Sequence, residues 1–147
     1  MFGLFKKAPQ YPTECKWTVL QGEHEGRFMI VRRNDSAAQL RGHVEYRYRI
    51  GVAIPLKEPD ERGLPSNEES SQLNVIEDKF TEELARDRRC LEVLVITTGG
   101  MREFVFYSRD PAAAKSILEA NTKSPSGHEL QSYIAEDPDW GVYAQFA

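Results

Sequence analysis

The most regular feature of the sequence is an alternation of apolar and polar positions in residues 43–56. Every second residue from Val44 to Ile54 is aliphatic or aromatic, and such a period of two is typical of a strand with one buried face. Two shorter runs, residues 17–21 and 27–33, flank the glycine-bounded turn GEHEG. They predict an N-terminal β-hairpin.

A helical period follows in residues 66–88, where apolar residues recur at intervals of three and four. Ser66 and Glu69 form an S-x-x-E capping box, which predicts the start of this helix. The apolar stripe consists of Leu73, Ile76, Phe80 and Leu84. We expect the acidic residues around it to be solvated, since no histidine or cysteine accompanies them. They are Glu68, Glu69, Glu77, Asp78, Glu82 and Glu83.

Two Asp-Pro pairs predict further helices, because aspartate is a favoured N-cap and proline suits the first helical position. Asp110 and Pro111 precede a helix that would bury Ala114, Ile117 and Leu118. Asp137 and Pro138 precede a short C-terminal helix, anchored by Trp140, Tyr143 and Phe146. A strand of about eight residues is predicted between these helices, after the turn KSPSG.

The segment VITTGGMREFVFY predicts a tight β-hairpin, because two adjacent glycines suit a turn with positive φ at both central positions. A dinucleotide cradle would need a different glycine spacing and a following helix. With Thr98 opposite Met101, one face would carry Leu91, Val93, Val95, Phe104 and Phe106. The other face would carry Glu92, Leu94, Ile96, Glu103, Val105 and Tyr107. We expect the phenylalanine face to pack under the helices.

The order strand, helix, strand, strand, helix, strand from residue 43 predicts an α+β fold. We expect a ferredoxin-like split β-α-β antiparallel sheet with both helices on one face. An N-terminal β-hairpin and a short C-terminal helix would complete it. Residues 15–147 would form a single α+β domain, preceded by a flexible N-terminal tail, residues 1–14.

The 147-residue chain has a net charge of −4 and contains no apolar run of membrane-spanning length. We therefore expect a cytoplasmic protein that neither spans a membrane nor binds the phosphate backbone of nucleic acids. Cys15 and Cys90 are predicted to be reduced thiols, and we expect His24, His43 and His128 to be isolated and exposed. The sequence predicts no catalytic residues, no metal site and no cofactor.

Three functional hypotheses follow. The first is a non-enzymatic interaction or regulatory module that binds a protein partner, or a second copy of itself, through the open face of the sheet. Its contact surface would comprise Leu94, Ile96, Glu103, Val105, Tyr107, Trp140 and Tyr143. The second is a small-ligand binder or enzyme using a hairpin-tip cluster of Thr97, Thr98, Arg102 and Glu103. The third is single-stranded RNA binding through YRYR and REFVFY, against which the inward-facing phenylalanines argue.

Four stretches together resemble a bacterial family, domain of unknown function 695: RGLPSNEE, VIEDKF, TTGGMREFVFYSRDP and EDPDWGVYAQF. The likeness runs from about residue 43 to the end, and Met101 stands where a cysteine is common in the family. In some members the domain is joined to one similar to the B-type protein regulators of ribonuclease E, which are acidic ferredoxin-like proteins. The resemblance thus implies a regulatory binding module, with a possible link to RNA decay and without catalytic or metal-binding residues.

Overall fold

The structure is a computed structural model and describes residues 10–147. This part of the chain forms six β-strands, three α-helices and two short 3₁₀ segments, Asp35–Gln39 and Arg86–Arg88. The strands are β1 (Trp17–His24), β2 (Arg27–Asn34), β3 (Tyr48–Pro55), β4 (Cys90–Thr98), β5 (Met101–Ser108) and β6 (Gln131–Glu136). The helices are α1 (Asn67–Leu84), α2 (Pro111–Ala120) and α3 (Gly141–Ala144).

All six strands belong to one sheet in the order β1-β2-β4-β5-β3-β6, and every neighbouring pair is antiparallel. The N-terminal hairpin extends the sheet beside β4. The predicted α+β class and antiparallel sheet are therefore confirmed. No helix within residues 10–147 has the length and apolar character needed to cross a membrane.

One face of the sheet carries α1 and α2 and forms the larger core. Phe104 and Phe106 are fully buried there among aliphatic residues of β3 and the two helices. The predicted apolar stripe of α1 is confirmed, since Leu73, Ile76, Phe80 and Leu84 are all buried. Because neither phenylalanine ring is accessible, the RNA hypothesis loses the two rings on which base stacking depends.

The hairpin between β4 and β5 confirms the Gly-Gly turn and only part of the predicted pairing. Gly99 and Gly100 have φ of +60° and +76°, and the predicted register holds from Thr98–Met101 back to Leu94–Val105. A β-bulge then shifts the register between Glu92 and Leu94. The extra residue inverts the alternation of all residues beyond it.

Because of the bulge, the predicted orientations of three side chains are wrong. Leu91 and Val93, expected on the phenylalanine face, pack in the second core on the opposite face. Glu92 was expected on that opposite face, but it pairs with Phe106 and turns toward α1. One inserted residue has thus moved a carboxyl group beneath the helix layer.

The second face of the sheet, which the sequence predicts to be open, is largely covered, and a second hydrophobic core lies beneath the cover. Residues of the 35–47 segment and of α3 pack onto Leu94, Val105 and Tyr107, each of which has no exposed surface. The Trp140 ring stacks on Tyr107 with centroids 4.2 Å apart and an interplanar angle of 7°. Trp140 and Tyr143 are 0% and 2% exposed, so the prediction that these five residues form an external contact surface is wrong.

Several predicted boundaries also differ. Strand β3 begins at Tyr48 because the preceding residues leave the sheet: Val44 is 79% exposed and Tyr46 enters the second core. Helix α3 begins at Gly141 and not at Pro138, since Trp140 adopts a left-handed backbone with φ of 55°. The last strand, β6, has six residues instead of about eight.

The predicted loose tail is only partly described. Residues 1–9 lie outside the described residues. Tyr11 is half-buried against the second core, and its hydroxyl donates to the Cys90 carbonyl at 2.8 Å. Tyr11 therefore packs against the domain, although it belongs to the predicted flexible tail, residues 1–14.

Candidate functional site

Two residues of the predicted contact surface retain accessible area. Ile96 and Glu103 are partly exposed at the hairpin end of the second face. Glu103 accepts a hydrogen bond from the Tyr133 hydroxyl at 2.6 Å. An external contact at this end of the sheet stays a prediction, but with a much smaller surface.

The predicted hairpin-tip ligand cluster is not one site. Arg102 donates to the Thr97 hydroxyl at 2.9 Å on the helix-covered face, and burial lowers the pKa of its guanidinium. Thr98 donates to the Phe28 carbonyl at 2.9 Å, and Glu103 points to the opposite face of the sheet. The alternation of side chains along β4 and β5 separates the four residues that the sequence groups together.

A cleft of about 300 Å³ lies instead between α1 and the strands β1, β2 and β4. Helix α1 forms one wall and β1 with β2 the other, while the bulged part of β4 forms the floor. The residues lining it combine aromatic, acidic and thiol side chains with one guanidinium. They are Tyr11, Cys15, Trp17, Arg32, Asn34, Glu77, Asp78, Thr81, Ala85, Leu91 and Glu92.

Arg32 and Glu77 both line this cleft and form an ion pair across it. One terminal nitrogen of Arg32 donates to both carboxylate oxygens of Glu77, at 2.7 Å and 2.5 Å. The Arg32 guanidinium carbon also lies 5.2 Å from the centroid of the Trp17 ring, in a cation–π arrangement. Glu77 and Glu69 are both buried, so the expectation that all acidic residues of α1 are solvated is wrong for these two.

Glu92 is the least compensated polar group of the cleft. Its side chain lies within hydrogen-bonding reach of Glu77 and is 7% exposed, and its buried Oε2 has no hydrogen-bond donor among the described residues. Burial raises the pKa of the Glu92 carboxyl well above its ordinary range, and the negative charge of Glu77 raises it further. Burial and the Glu77 charge therefore both favour the neutral form of Glu92, while the positive charge of Arg32 opposes them.

The backbone around Glu92 is fixed from the side of β2. The Asn34 side-chain amide donates to the Glu92 carbonyl at 2.9 Å and to the Cys15 sulfur at 3.3 Å. Asn34 is itself fully buried, and its own carbonyl accepts from the Tyr143 hydroxyl at 2.8 Å. The carboxyl group of Glu92 is therefore presented by a rigid frame and not by a mobile loop.

A second buried polar cluster joins the start of α1 to the turn before β6. His128 Nε2 lies 2.7 Å from Glu69 Oε2, and His128 Nδ1 lies 2.7 Å from the Ser126 hydroxyl. The prediction that His128 is exposed and isolated is wrong, because it is 1% exposed. The reciprocal half of the predicted capping box is also absent, since the Glu69 carboxylate accepts instead from the Lys57 amide at 2.7 Å.

This Ser126–His128–Glu69 chain has the hydrogen-bond order of a nucleophilic triad, but the histidine at its centre is buried. The cavity of about 230 Å³ beside Glu69 is lined by neither Ser126 nor His128. Burial raises the pKa of the Glu69 carboxyl, yet the hydrogen bonds from Lys57 and His128 outweigh it and lower the pKa overall. The cluster fastens a turn to the helix start.

Asp137 performs a comparable structural role at the C terminus. Its carboxylate accepts from Arg49 and the Tyr107 hydroxyl, at 2.8 Å and 2.7 Å, and from the Gly141 amide at 2.8 Å. The predicted capping function is therefore present, although it serves a helix that begins later. This network holds Trp140 over Tyr107 and explains the Asp-Pro-x-Trp ending as a packing device.

The two thiols of residues 10–147 differ in their access to solvent. Within that range no group of three or more histidine, cysteine or acidic side chains is placed to hold a metal ion. Cys15 is exposed beside the cleft, whereas Cys90 is buried, and burial raises the pKa of its thiol to about 11. The only thiol of this range with access to solvent is thus at the edge of the cleft.

Sequence reasoning missed Arg32, Glu77 and Glu92 as a group, because they lie on three elements far apart in the chain. One signal was available. Glu92 is the single charged residue in the apolar run LEVLVI. A carboxyl in a strand that is buried on both faces needs a specific partner, whereas uninterrupted alternation along the strand puts Glu92 on the face predicted to be open.

The fold and cleft define a small α+β sheet protein with a partly buried carboxyl pair. The model of the family described as "Family of unknown function (DUF695)" matches residues 15–147. The chain therefore belongs to this family, and the match includes the N-terminal hairpin. Comparisons with curated proteins and with solved structures found no match.

Proposed function

We propose that the domain is a non-enzymatic binding module that takes a small molecule in the Arg32–Glu77–Glu92 cleft. The observation that supports this is the buried Glu92 carboxyl, which lines the cleft and lacks a donor for Oε2. A carboxyl whose pKa is strongly perturbed by burial and a specific charged partner, and which lies in a cleft, is a candidate for a functional site. The cleft volume of about 300 Å³ is at the lower end of the range for ligand pockets, roughly 300–1,000 Å³.

The energetic argument is that Glu92 weakens the fold. A buried polar group without its hydrogen-bond partner costs about 1–3 kcal/mol, and a glutamine or leucine would avoid the charge entirely. We infer that Glu92 is retained because a ligand uses it. A ligand that supplies the missing donor would recover part of that cost on binding.

The two tryptophans provide a direct test. Trp17 lines the cleft, whereas the Trp140 indole donates to the Tyr46 carbonyl in the second core, 2.7 Å away. A chemically diverse fragment set is screened by following both indole N–H resonances. We expect a subset of fragments to shift Trp17 and to leave Trp140 unchanged. Absence of any fragment that moves Trp17 selectively would overturn the proposal.

A second candidate function is self-association through the hairpin end of the second face. Ile96 lies beside a groove of about 470 Å³ that includes Leu20, Met29 and Phe146, all partly exposed. Strand β1 next to this groove is an edge strand, paired on one side by β2. A second copy would add its own β1 across a two-fold axis and cover both grooves.

Sedimentation velocity distinguishes this possibility. We expect the wild-type chain to form a dimer and Ile96→Asp to be a folded monomer. A wild-type chain that stays monomeric at high concentration would exclude self-association.

A regulatory role in RNA decay rests on family analogy, and titration of ribonuclease E with the purified domain is its test.

The finer fold and location are also proposals. The order β6-β3-β5-β4 within the sheet supports a ferredoxin-like split β-α-β unit enlarged by the β1–β2 hairpin. An exposed free thiol at Cys15 is compatible with a reducing, cytoplasmic environment. A bacterial origin is likewise an expectation from the family resemblance.

A further inference from the structure

We propose that the ligand of the cleft carries a small cationic amine or guanidine group, which binds Glu92 and displaces its proton into solvent. This inference rests on the proposed binding function and specifies its chemistry. It is carried by the charge balance of the cleft, by its hydrogen-bonding pattern and by the aromatic walls.

The charge balance favours a cation. Three carboxyl groups line the cleft, from Glu77, Asp78 and Glu92, against the single guanidinium of Arg32 among the described lining residues. Arg32 is already engaged by both oxygens of Glu77. Because Arg32 is paired with Glu77, the charge of Asp78 is left over in the free cleft. It would repel a carboxylate or phosphate ligand and attract an ammonium group, which could then pair with the ionised Glu92 carboxylate.

The hydrogen-bonding pattern requires the ligand to be a donor. The Asn34 amide is committed to the Glu92 carbonyl and the Cys15 sulfur, and the Tyr11 hydroxyl is committed to the Cys90 carbonyl. Glu92 Oε2, by contrast, is an acceptor that no described donor reaches. A charged donor forms the strongest hydrogen bond with such a group.

The aromatic walls tolerate positive charge. Guanidinium carbons lie over two of the lining rings, Arg32 at 5.2 Å from the Trp17 centroid and Arg88 at 5.6 Å from the Tyr11 centroid. The faces of tyrosine and tryptophan attract cations electrostatically. An alkyl stem on the ligand would find apolar contact at Leu91 and Ala85, which also line the cleft.

Binding exchanges one cation for one proton. The charged and titratable groups facing Glu92 are Glu77 and Asp78 from α1 and Arg32 from β2, and Tyr11 and Cys15 line the same cleft. Without ligand, burial and the acidic neighbours favour the protonated form of Glu92. When the cation arrives, the O–H bond of Glu92 breaks, the proton passes to the buffer and the carboxylate pairs with the ligand. Affinity for the cation therefore rises with pH.

The test uses four probes of matched length on the full chain: butylammonium, butylguanidinium, butyrate and butanol. Dissociation constants are measured from the Trp17 indole shift at several pH values, with Trp140 as internal reference. Wild type is compared with Glu92→Gln and with Glu82→Gln, an exposed matched change on α1. A lysine-containing peptide and its acetylated form distinguish a free amine from a side chain of a partner.

We expect the two cations to bind at least about tenfold more tightly than butanol, because one hydrogen bond to a charged group contributes about that much to affinity. We also expect tighter binding as pH rises, with both effects lost in Glu92→Gln and kept in Glu82→Gln. If butanol or butyrate moves Trp17 and the cations do not, the cleft binds ligands and the cation inference is wrong. Cation binding that is independent of pH and of Glu92 would equally overturn it.

Discussion

Glu92→Gln is expected to stabilise the protein near neutral pH. The amide has nearly the same shape as the protonated carboxyl, and its N–H can donate to the Glu77 carboxylate in the same way. Glu92 is 7% exposed, so solvent does little to relieve its charge. The substitution therefore removes an ionisable group whose charged form the site disfavours, without opening a cavity.

The magnitude follows from proton linkage. An unfolded glutamate has a pKa of about 4.3, and each pH unit at which the folded state keeps the proton costs about 1.36 kcal/mol. At pH 7 this cost is at most about 3.7 kcal/mol. Because the pKa of Glu92 is raised on folding, the wild type loses stability as pH increases from the unfolded pKa to the folded one. We expect a gain for Glu92→Gln of about 1–3 kcal/mol at pH 7.

The assay is urea unfolding of wild type, Glu92→Gln and Glu82→Gln at several pH values from about 4 to 8. The advantage of Glu92→Gln should vanish near pH 4, where both states carry a neutral Glu92, and grow as pH increases. Glu82→Gln should stay within about 0.5 kcal/mol of wild type, as surface changes usually do. A Glu92→Gln protein that is no more stable than wild type at pH 7, or an advantage that does not change with pH, would refute the reasoning.

Three further outcomes are expected. The pKa values of Glu69 and Asp137 are lowered on folding. Their contribution to the free energy of unfolding is therefore complete above the pKa of the unfolded state and is lost as pH falls through the pKa of the folded state. The unfolding curves of Glu69→Gln and wild type should converge at low pH. Gly51→Ala should destabilise, because its Cβ would lie 2.1 Å from the Tyr133 ring, and Tyr133→Ala should relieve much of that loss in thermal melts. Val105→Asp should fail to fold by circular dichroism, since Val105 is fully buried; a folded variant would contradict the second core.

Much of the fold is predictable because it depends on local periodicity. The stripe of α1, the Asp110 cap and the Gly99–Gly100 turn each follow from neighbouring residues. The inward position of Phe104 and Phe106 follows from pairing counted outward from that turn. These features need no knowledge of distant parts of the chain.

The covered second face was not predictable on the same basis. Its cover is provided by residues 35–47, which have no regular period, and by a helix that begins only after the left-handed Trp140. The bulge at Val93 adds one residue without a sequence signal, yet it reverses the faces of Leu91 and Glu92. Patterns that assume uninterrupted alternation therefore fail at the position that forms the cleft.

The candidate site was unpredictable for a related reason. Arg32, Glu77 and Glu92 meet only because β2 lies beside β4 and α1 crosses above them. Each residue is unremarkable in its own segment, and an acidic helix face is usually solvated. Their chemistry arises from tertiary burial, which changes the properties of a carboxyl that the sequence cannot distinguish from its neighbours.

The protonation state of Glu92 tests the account most directly. The side-chain carboxyl carbon of Glu92 can be followed by NMR at about pH 6, where an ordinary glutamate is ionised. We predict the chemical shift of a neutral acid in the free protein and a change to the ionised value when butylammonium is added. A Glu92 carboxyl already ionised in the free protein, titrating together with exposed glutamates such as Glu82, would contradict the account.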